Sequence, residues 1–226
     1  AKYDIPAPRY TSYPTVPYWT DNPTSDQWLA ELNKTFTADP QTGWSLYIHI
    51  PFCESLCTFC GCNTFITRNH KNEASYTEAI HKELATYLDN VPLLKEAPLR
   101  QIHLGGGTPT FFAPDSLRRL LRPILDTAQI DPAWFEGSIE VGPRSTTREQ
   151  LEALRELGFQ RISMGVQDFN PEVQRLVNRI QPFEMTRDLT ILARELGFES
   201  VNYDLIYGLP AQTAESFRQT AETTIA

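Results

Sequence analysis

The sequence predicts an α/β fold built on parallel strands, and three features underlie that expectation. Five strand-like runs, at 44–50, 100–106, 136–142, 160–167 and 200–207, alternate with helical stretches at 73–90, 115–128, 147–157, 171–178 with 183–196, and 213–226. Strands separated by helices of that length need crossover connections, which make them parallel and right-handed. One βα unit is also used twice: Leu154-Arg-Glu-Leu-Gly-Phe159 returns as Ala193-Arg-Glu-Leu-Gly-Phe198. In each copy the glycine ends a helix and the phenylalanine can pack on the sheet. Finally, the unusual residues fall at the carboxyl ends of the runs. Cys53 to Cys62 follow the first and Gly105 to Thr108 the second; Glu140 and Gly142 end the third, Gln167 and Asp168 the fourth, and Asp204 to Gly208 the fifth. Open sheets and barrels both hold ligands at that edge. Periodicity alone leaves both architectures open.

Taken in order, residues 1–43 form an extended arm, with five prolines before residue 24 and the stretch Pro-Arg-Tyr-Thr-Ser-Tyr-Pro-Thr at 8–15. Arg9 among these tyrosines either packs on the main domain with them or points at a ligand. Ser25 is a candidate cap for a short helix over Asp26 to Phe36, with Trp28, Leu29, Leu32 and Phe36 on one side. Residues 44–226 form the main domain. With 226 residues, 41% apolar and 21% charged, the chain can bury one substantial core. Its net charge of −8 argues against a general nucleic-acid or anionic-membrane surface. No apolar run approaches the roughly 20 residues that cross a bilayer. The expectation is a monomer in a reducing, cytoplasmic compartment. The chain begins at Ala1 and stops at Ala226 inside a helical stretch, which reads as a piece of something longer.

All four cysteines sit in one short stretch after the first strand, at Cys53, Cys57, Cys60 and Cys62. A secreted disulfide framework would spread them out, so the thiols read as ligands. Three thiolates spaced C-x3-C-x2-C on one loop can hold three corners of an iron–sulfur cubane, leaving one iron without a protein ligand; proteins that only carry electrons normally use four cysteines. The competing reading is a zinc knuckle using Cys62 as well, but structural zinc usually takes two pairs separated by a longer loop. One-residue spacing also tends to point the Cys60 and Cys62 thiols apart. Phe52 and Phe59 flank the thiols, either as core or as cover that excludes water. Gly105-Gly106-Gly107-Thr108 has no side chain at three successive positions, so its backbone can approach a ligand closely. Glu140 lies in an apolar strand; if it points inward it needs donors, and ribose hydroxyls or an ammonium would serve. Arg179 could meet a carboxylate in a bidentate pair or be a solvated helix-end arginine. His70, His81 and His103 have no spacing that suggests a metal.

C-x3-C-x2-C after a strand resembles the signature of the radical S-adenosylmethionine superfamily. The surrounding words resemble one family in it, the oxygen-independent coproporphyrinogen III oxidases (coproporphyrinogen dehydrogenases). They are P-R-Y-T-S-Y-P-T, Y-I-H-I-P-F-C, C-G-C-N, G-G-G-T-P-T, S-M-G-V-Q-D-F-N, V-Q-R-L-V-N-R and D-L-I-Y-G-L-P, from residue 8 to residue 210. The resemblance implies an incomplete six-stranded (βα)6-type barrel, here truncated after about five βα units, with the family's C-terminal domain absent. It implies that Cys53, Cys57 and Cys60 bind a [4Fe–4S] cluster and that S-adenosylmethionine chelates the open iron. The implied reaction is oxidative decarboxylation of two propionates of coproporphyrinogen III to vinyl groups, giving protoporphyrinogen IX in haem biosynthesis.

By the same resemblance, Tyr47, Gly106 and Glu140 contact the first cofactor molecule. Gly107, Thr108, Gln167, Arg179 and Asp204 meet a second one, and Phe59 is counted with the cofactor-binding residues. His49 and Cys62 are implied in catalysis. The partners implied are a tetracarboxylate porphyrinogen and a low-potential donor of flavodoxin or ferredoxin type. The alternative is a haem chaperone or haem-modifying relative with the same barrel; Cys62 and residues 8–15 favour the oxidase. The family usually reads E-V-D-P-R where this chain has Glu140-Val-Gly142-Pro-Arg144, which puts activity rather than fold in doubt. This stretch by itself is expected to show no turnover, because an open barrel cannot shield a carbon radical from solvent.

Overall fold

The computed structural model describes residues 15–225. Arg9 and all but the last residue of the 8–15 stretch lie outside the described residues. The first long helix, α1, runs Ser25–Ala38. Its cap is Thr24 rather than Ser25: the Thr24 hydroxyl accepts from the Gln27 amide at 3.3 Å, and Gln27 Oε1 accepts from the Thr24 amide at 2.8 Å. That reciprocal pair satisfies two amides at once, which a serine one residue later cannot do.

The main sheet consists of β1 (Trp44–Ile50), β4 (Leu99–Gly106), β5 (Glu136–Val141), β6 (Phe159–Gln167) and β7 (Ser200–Leu205). All pair in parallel, in that order, with β1 at one edge and β7 at the other. A doubly wound sheet would reverse direction around its first strand. This one never reverses, so it is a single-wound barrel segment. Two short strands were not foreseen: β2 (Phe52–Cys53) pairs in parallel with β3 (Phe65–Ile66) and closes the base of the cysteine loop. They are too short to show a period.

Along each strand one set of alternate residues meets the helices. Ile48, Ile50, Ile102, Leu104, Ile139, Ile162 and Met164 are buried there with Leu117, Leu120, Leu121 and Leu151. The latter come from α3 (Pro114–Thr127) and α4 (Arg148–Glu156). Each such side chain contributes about 1.5–3 kcal/mol through burial. The repeated unit behaves as its sequence implies: Gly158 and Gly197 adopt φ of 84° and 83°, and Phe159 and Phe198 are buried in the core. The intervening residues face the other side of the sheet and are polar. Helices α2 (Asn72–Asn90), α5 (Pro171–Leu176), α6 (Phe183–Glu195) and α7 (Ala214–Ile225) complete the fold. Strand β7 stops at Leu205 rather than 207, and the Ile206 amide makes the last ladder bond, donating to the Gln167 carbonyl at 3.0 Å.

Candidate active site

The carboxyl ends of the five strands enclose one open cleft with a cavity volume of about 180 Å3. Cys53, Cys57, Cys60 and Cys62 all line it, together with Phe59. Its opposite wall is Gly106 to Pro109, and Glu140, Gln167, Arg179 and Asp204 close the ring. Tyr47 and His49 instead line a neighbouring groove between β1, α1 and α2. Tyr47 stands across Gly105 from Glu140: a Cβ on Gly105 would lie 3.0 Å from the Tyr47 hydroxyl and 3.2 Å from Glu140 Oε1.

The cysteine loop hangs from the β2–β3 ladder, with the Phe65 amide donating to the Pro51 carbonyl at 2.7 Å and Thr67 to Cys53 at 2.8 Å. Cys57 is buried and Cys62 exposed, and all four thiols are free. Phe52 is core, stacked on Phe111 at 5.2 Å, whereas Phe59 reaches the cleft. Cys53 Sγ meets the Thr108 hydroxyl at 3.3 Å. Burial pushes the Cys53 thiol up, and the Thr108 hydroxyl partly offsets this. Burial, then the Cys60 thiol, pushes Cys62 up as well, Cys60 acting by charge and by hydrogen bonding. Cys60 and Cys62 both line the cleft.

Two guanidiniums face Cys57: Arg179 Nη1 at 3.5 Å and Arg144 Nη2 at 3.6 Å. Neither arginine has a carboxylate partner among the described residues. Arg179 Nε is buried without a hydrogen-bond partner. Glu140 Oε2 accepts the Gly106 amide at 3.2 Å. Asp204 Oδ2 accepts the Ser163 hydroxyl at 2.8 Å. Gln167 adopts φ 68°, rare for a residue with a side chain, at a register shift beside Gly165. His49 Nε2 lies 2.8 Å from the Asn63 carbonyl, which can only accept, so the ring carries its proton there and Nδ1 accepts from the Tyr47 hydroxyl at 3.0 Å.

The donor set fits an iron–sulfur cluster. Three soft sulfur donors, Cys53, Cys57 and Cys60, line one wall, two cations face the Cys57 sulfur, and the facing glycines leave room. A Cβ on Gly107 would lie 2.6 Å from the Pro51 carbonyl oxygen, so only glycine lets that wall sit so close. Arg144 and His103 were not anticipated as site residues. Arg144 was visible only as part of the Pro-Arg pair after Gly142, and His103 only through its even spacing from Gly105 in an alternating strand.

A family model described as the Radical SAM superfamily matches residues 47–224. The chain belongs to the radical SAM superfamily, whose cofactors are a [4Fe–4S] cluster and S-adenosylmethionine. Within it, the chain is 45% identical over 216 residues to the oxygen-independent coproporphyrinogen III oxidase of Escherichia coli (strain K12), covering 96% of this chain and 46% of that protein. The Pseudomonas aeruginosa protein of the same name is 42% identical over 226 residues, with 100% and 48% covered. The chain thus spans about half the length of the curated relatives it matches. The solved structure of coproporphyrinogen III oxidase from Escherichia coli, described as a radical SAM enzyme, superposes with a TM-score of 0.86 at 43% identity, covering 95% of this chain and 48% of the other. A radical S-adenosylmethionine methyltransferase from Kitasatospora setae shares the fold alone, with a TM-score of 0.54 at 17% identity over 82% of this chain and 34% of the other.

Proposed function

We propose that this chain carries the catalytic barrel of an oxygen-independent coproporphyrinogen III oxidase, which converts two propionates of the substrate to vinyl groups in haem biosynthesis. The observation that carries the reading is the single cleft in which three thiols, the glycine wall and the Glu140 carboxylate meet. Identity of 45% to a protein of that name supports the choice of reaction.

When bound, the cluster and S-adenosylmethionine supply one electron and a 5′-deoxyadenosyl radical able to take a hydrogen atom from a propionate β-carbon. Cys53, Cys57 and Cys60 would hold the cluster. Gly106 would bring backbone to the cofactor, and Glu140, together with Tyr47 behind Gly105, would accept from its amino group or ribose hydroxyls. Gly107, Thr108, Gln167, Arg179 and Asp204 would hold a second cofactor molecule, with Phe59 excluding water beside the thiols. His49 would hold or accept a proton at Nδ1, and Cys62 would stand on the substrate side. Arg144 and Arg179 are cations in a chain of net charge −8, suited to propionate carboxylates. Loss of CO2 and one electron to an acceptor then leaves the vinyl group. An outside low-potential donor of flavodoxin or ferredoxin type would reduce the cluster. No helix of the described residues is long and apolar enough to cross a membrane. The reading includes a cytoplasmic, monomeric enzyme.

The test is anaerobic reconstitution of the full-length protein, followed by measurement of iron and of CO2 released from coproporphyrinogen III with S-adenosylmethionine and a low-potential reductant. About four irons per chain are expected from a cubane, with two CO2 per substrate. Iron without CO2 would favour a haem chaperone, and zinc in place of iron would sink the cluster.

A further inference from the structure

We propose that His103 is a positioning residue for the Glu140 carboxylate and is itself oriented by Ser138. The inference rests on the reading above, in which Glu140 accepts from the amino group or ribose hydroxyls of S-adenosylmethionine.

His103 lies on the inner face of β4, in direct register with Ser138 on β5. Its Nδ1 is 2.8 Å from Ser138 Oγ. The other neighbour of that hydroxyl is the Ile102 carbonyl, at 3.5 Å. Ser138 has one proton, to give either to that carbonyl or to Nδ1. The Glu140 carboxylate facing Nε2 only accepts, which favours the imidazole form with its proton on Nε2 and Ser138 donating to Nδ1. Nε2 faces Glu140 Oε1 at 3.7 Å, while the Gly106 amide donates to Oε2 at 3.2 Å. Both carboxylate oxygens thus face β4, Oε2 bonded to its backbone and Oε1 opposite His103. The ring of Tyr47 stacks on His103 at 5.8 Å and 18°, which fixes the imidazole plane. What remains of the Glu140 lone pairs opens into the cleft that it lines.

The Nε2–Oε1 separation exceeds a hydrogen bond, and the two side chains are 38% and 47% exposed. The contact is therefore a neutral N–H dipole facing a carboxylate, worth about fivefold in affinity rather than hundreds.

The experiment uses the cluster-loaded holoenzyme at matched iron content and measures the dissociation constant of S-adenosylmethionine by equilibrium dialysis. His103→Ala is expected to weaken binding about fivefold at an unchanged melting temperature. His103→Gln, whose amide nitrogen reaches the Nε2 position, should bind within about twofold of the parent, and Ser138→Ala should fall between. Glu140→Gln should cost about tenfold or more, and adding His103→Ala to it should cost nothing further. The relay is overturned if His103→Ala binds like the parent, if it costs the same in the Glu140→Gln background, or if His103→Gln binds no better than His103→Ala. Should Glu140→Gln bind as tightly as the parent, the reading of Glu140 falls, and the relay with it.

Discussion

Arg179 points its Nη1 at Cys57 Sγ across 3.5 Å, and its Nη2 donates to the Gly165 carbonyl at 2.6 Å. A cation so placed favours negative charge on the sulfur side of the cleft. Replacing it by Arg179→Met should leave iron content intact and lower the cluster midpoint potential by about 60 mV, equivalent to ~1.4 kcal/mol for one electron. A redox titration followed by electron paramagnetic resonance measures this. An unchanged potential would remove the arginine from the electrostatics of the cluster.

Gly107 has no room for a side chain, since its Cβ would lie 2.7 Å from the Pro51 carbonyl carbon and 2.8 Å from the Phe52 carbonyl oxygen. Both obstacles are backbone, so neither can swing aside. Gly107→Ala should destabilise by about 1–3 kcal/mol, lowering the melting temperature by roughly 5 °C. Iron uptake should fall with it, because the same wall faces the cysteine loop.

Gly142 is different. A Cβ there meets Ser145 Oγ at 3.4 Å and Thr108 Cγ2 at 3.5 Å, ordinary contact distances. Gly142→Asp, which restores the carboxylate usual in the family, should change stability by less than about 0.5 kcal/mol. Turnover should be no lower than the parent's, as CO2 release would record. A loss of turnover at normal iron content would mean that the glycine is required.

The backbone of Gln167 is strained at φ 68°. Gln167→Gly should relieve about 1 kcal/mol of that strain and raise the melting temperature by roughly 3 °C. The amide that lines the cleft is lost in the exchange, so binding of S-adenosylmethionine should weaken. Stability and affinity moving in opposite directions is the signature to look for.

Burial, followed by the Glu140 charge, raises Tyr47 above the ordinary tyrosine range. A raised folded-state value means that the neutral phenol stabilises the fold below the unfolded value of about 10, and that this contribution is lost as pH rises through the folded value. In a titration of tyrosinate absorbance, Tyr47→Phe should remove one late-titrating group. The alkaline fall in melting temperature should also become shallower.

Much of the fold was legible because burial has a period. Ile102 and Leu104, like Ile162 and Met164, alternate with polar residues, and each glycine of the two Leu-Gly-Phe copies sits where a helix must stop. The cysteine spacing was equally plain, since three thiols on one loop need no tertiary information. The short β2–β3 ladder was hidden because two residues carry no period. The Thr24 cap was missed because Ser25 is an equally good capping residue, and only the Gln27 side chain decides between them.

By itself, the sequence determined the parallel α/β class, the thiol loop and the edge of the sheet that carries the site. Those follow from local chemistry: side-chain alternation, glycine at helix ends and cysteines within one loop. Tertiary structure alone decided that the sheet is wound in one direction, because strand order is a property of packing and not of any one strand. It also brought Arg144 and Arg179 onto Cys57 and set His103 between Ser138 and Glu140. Residues this far apart in the chain meet only when parallel strands fix their register.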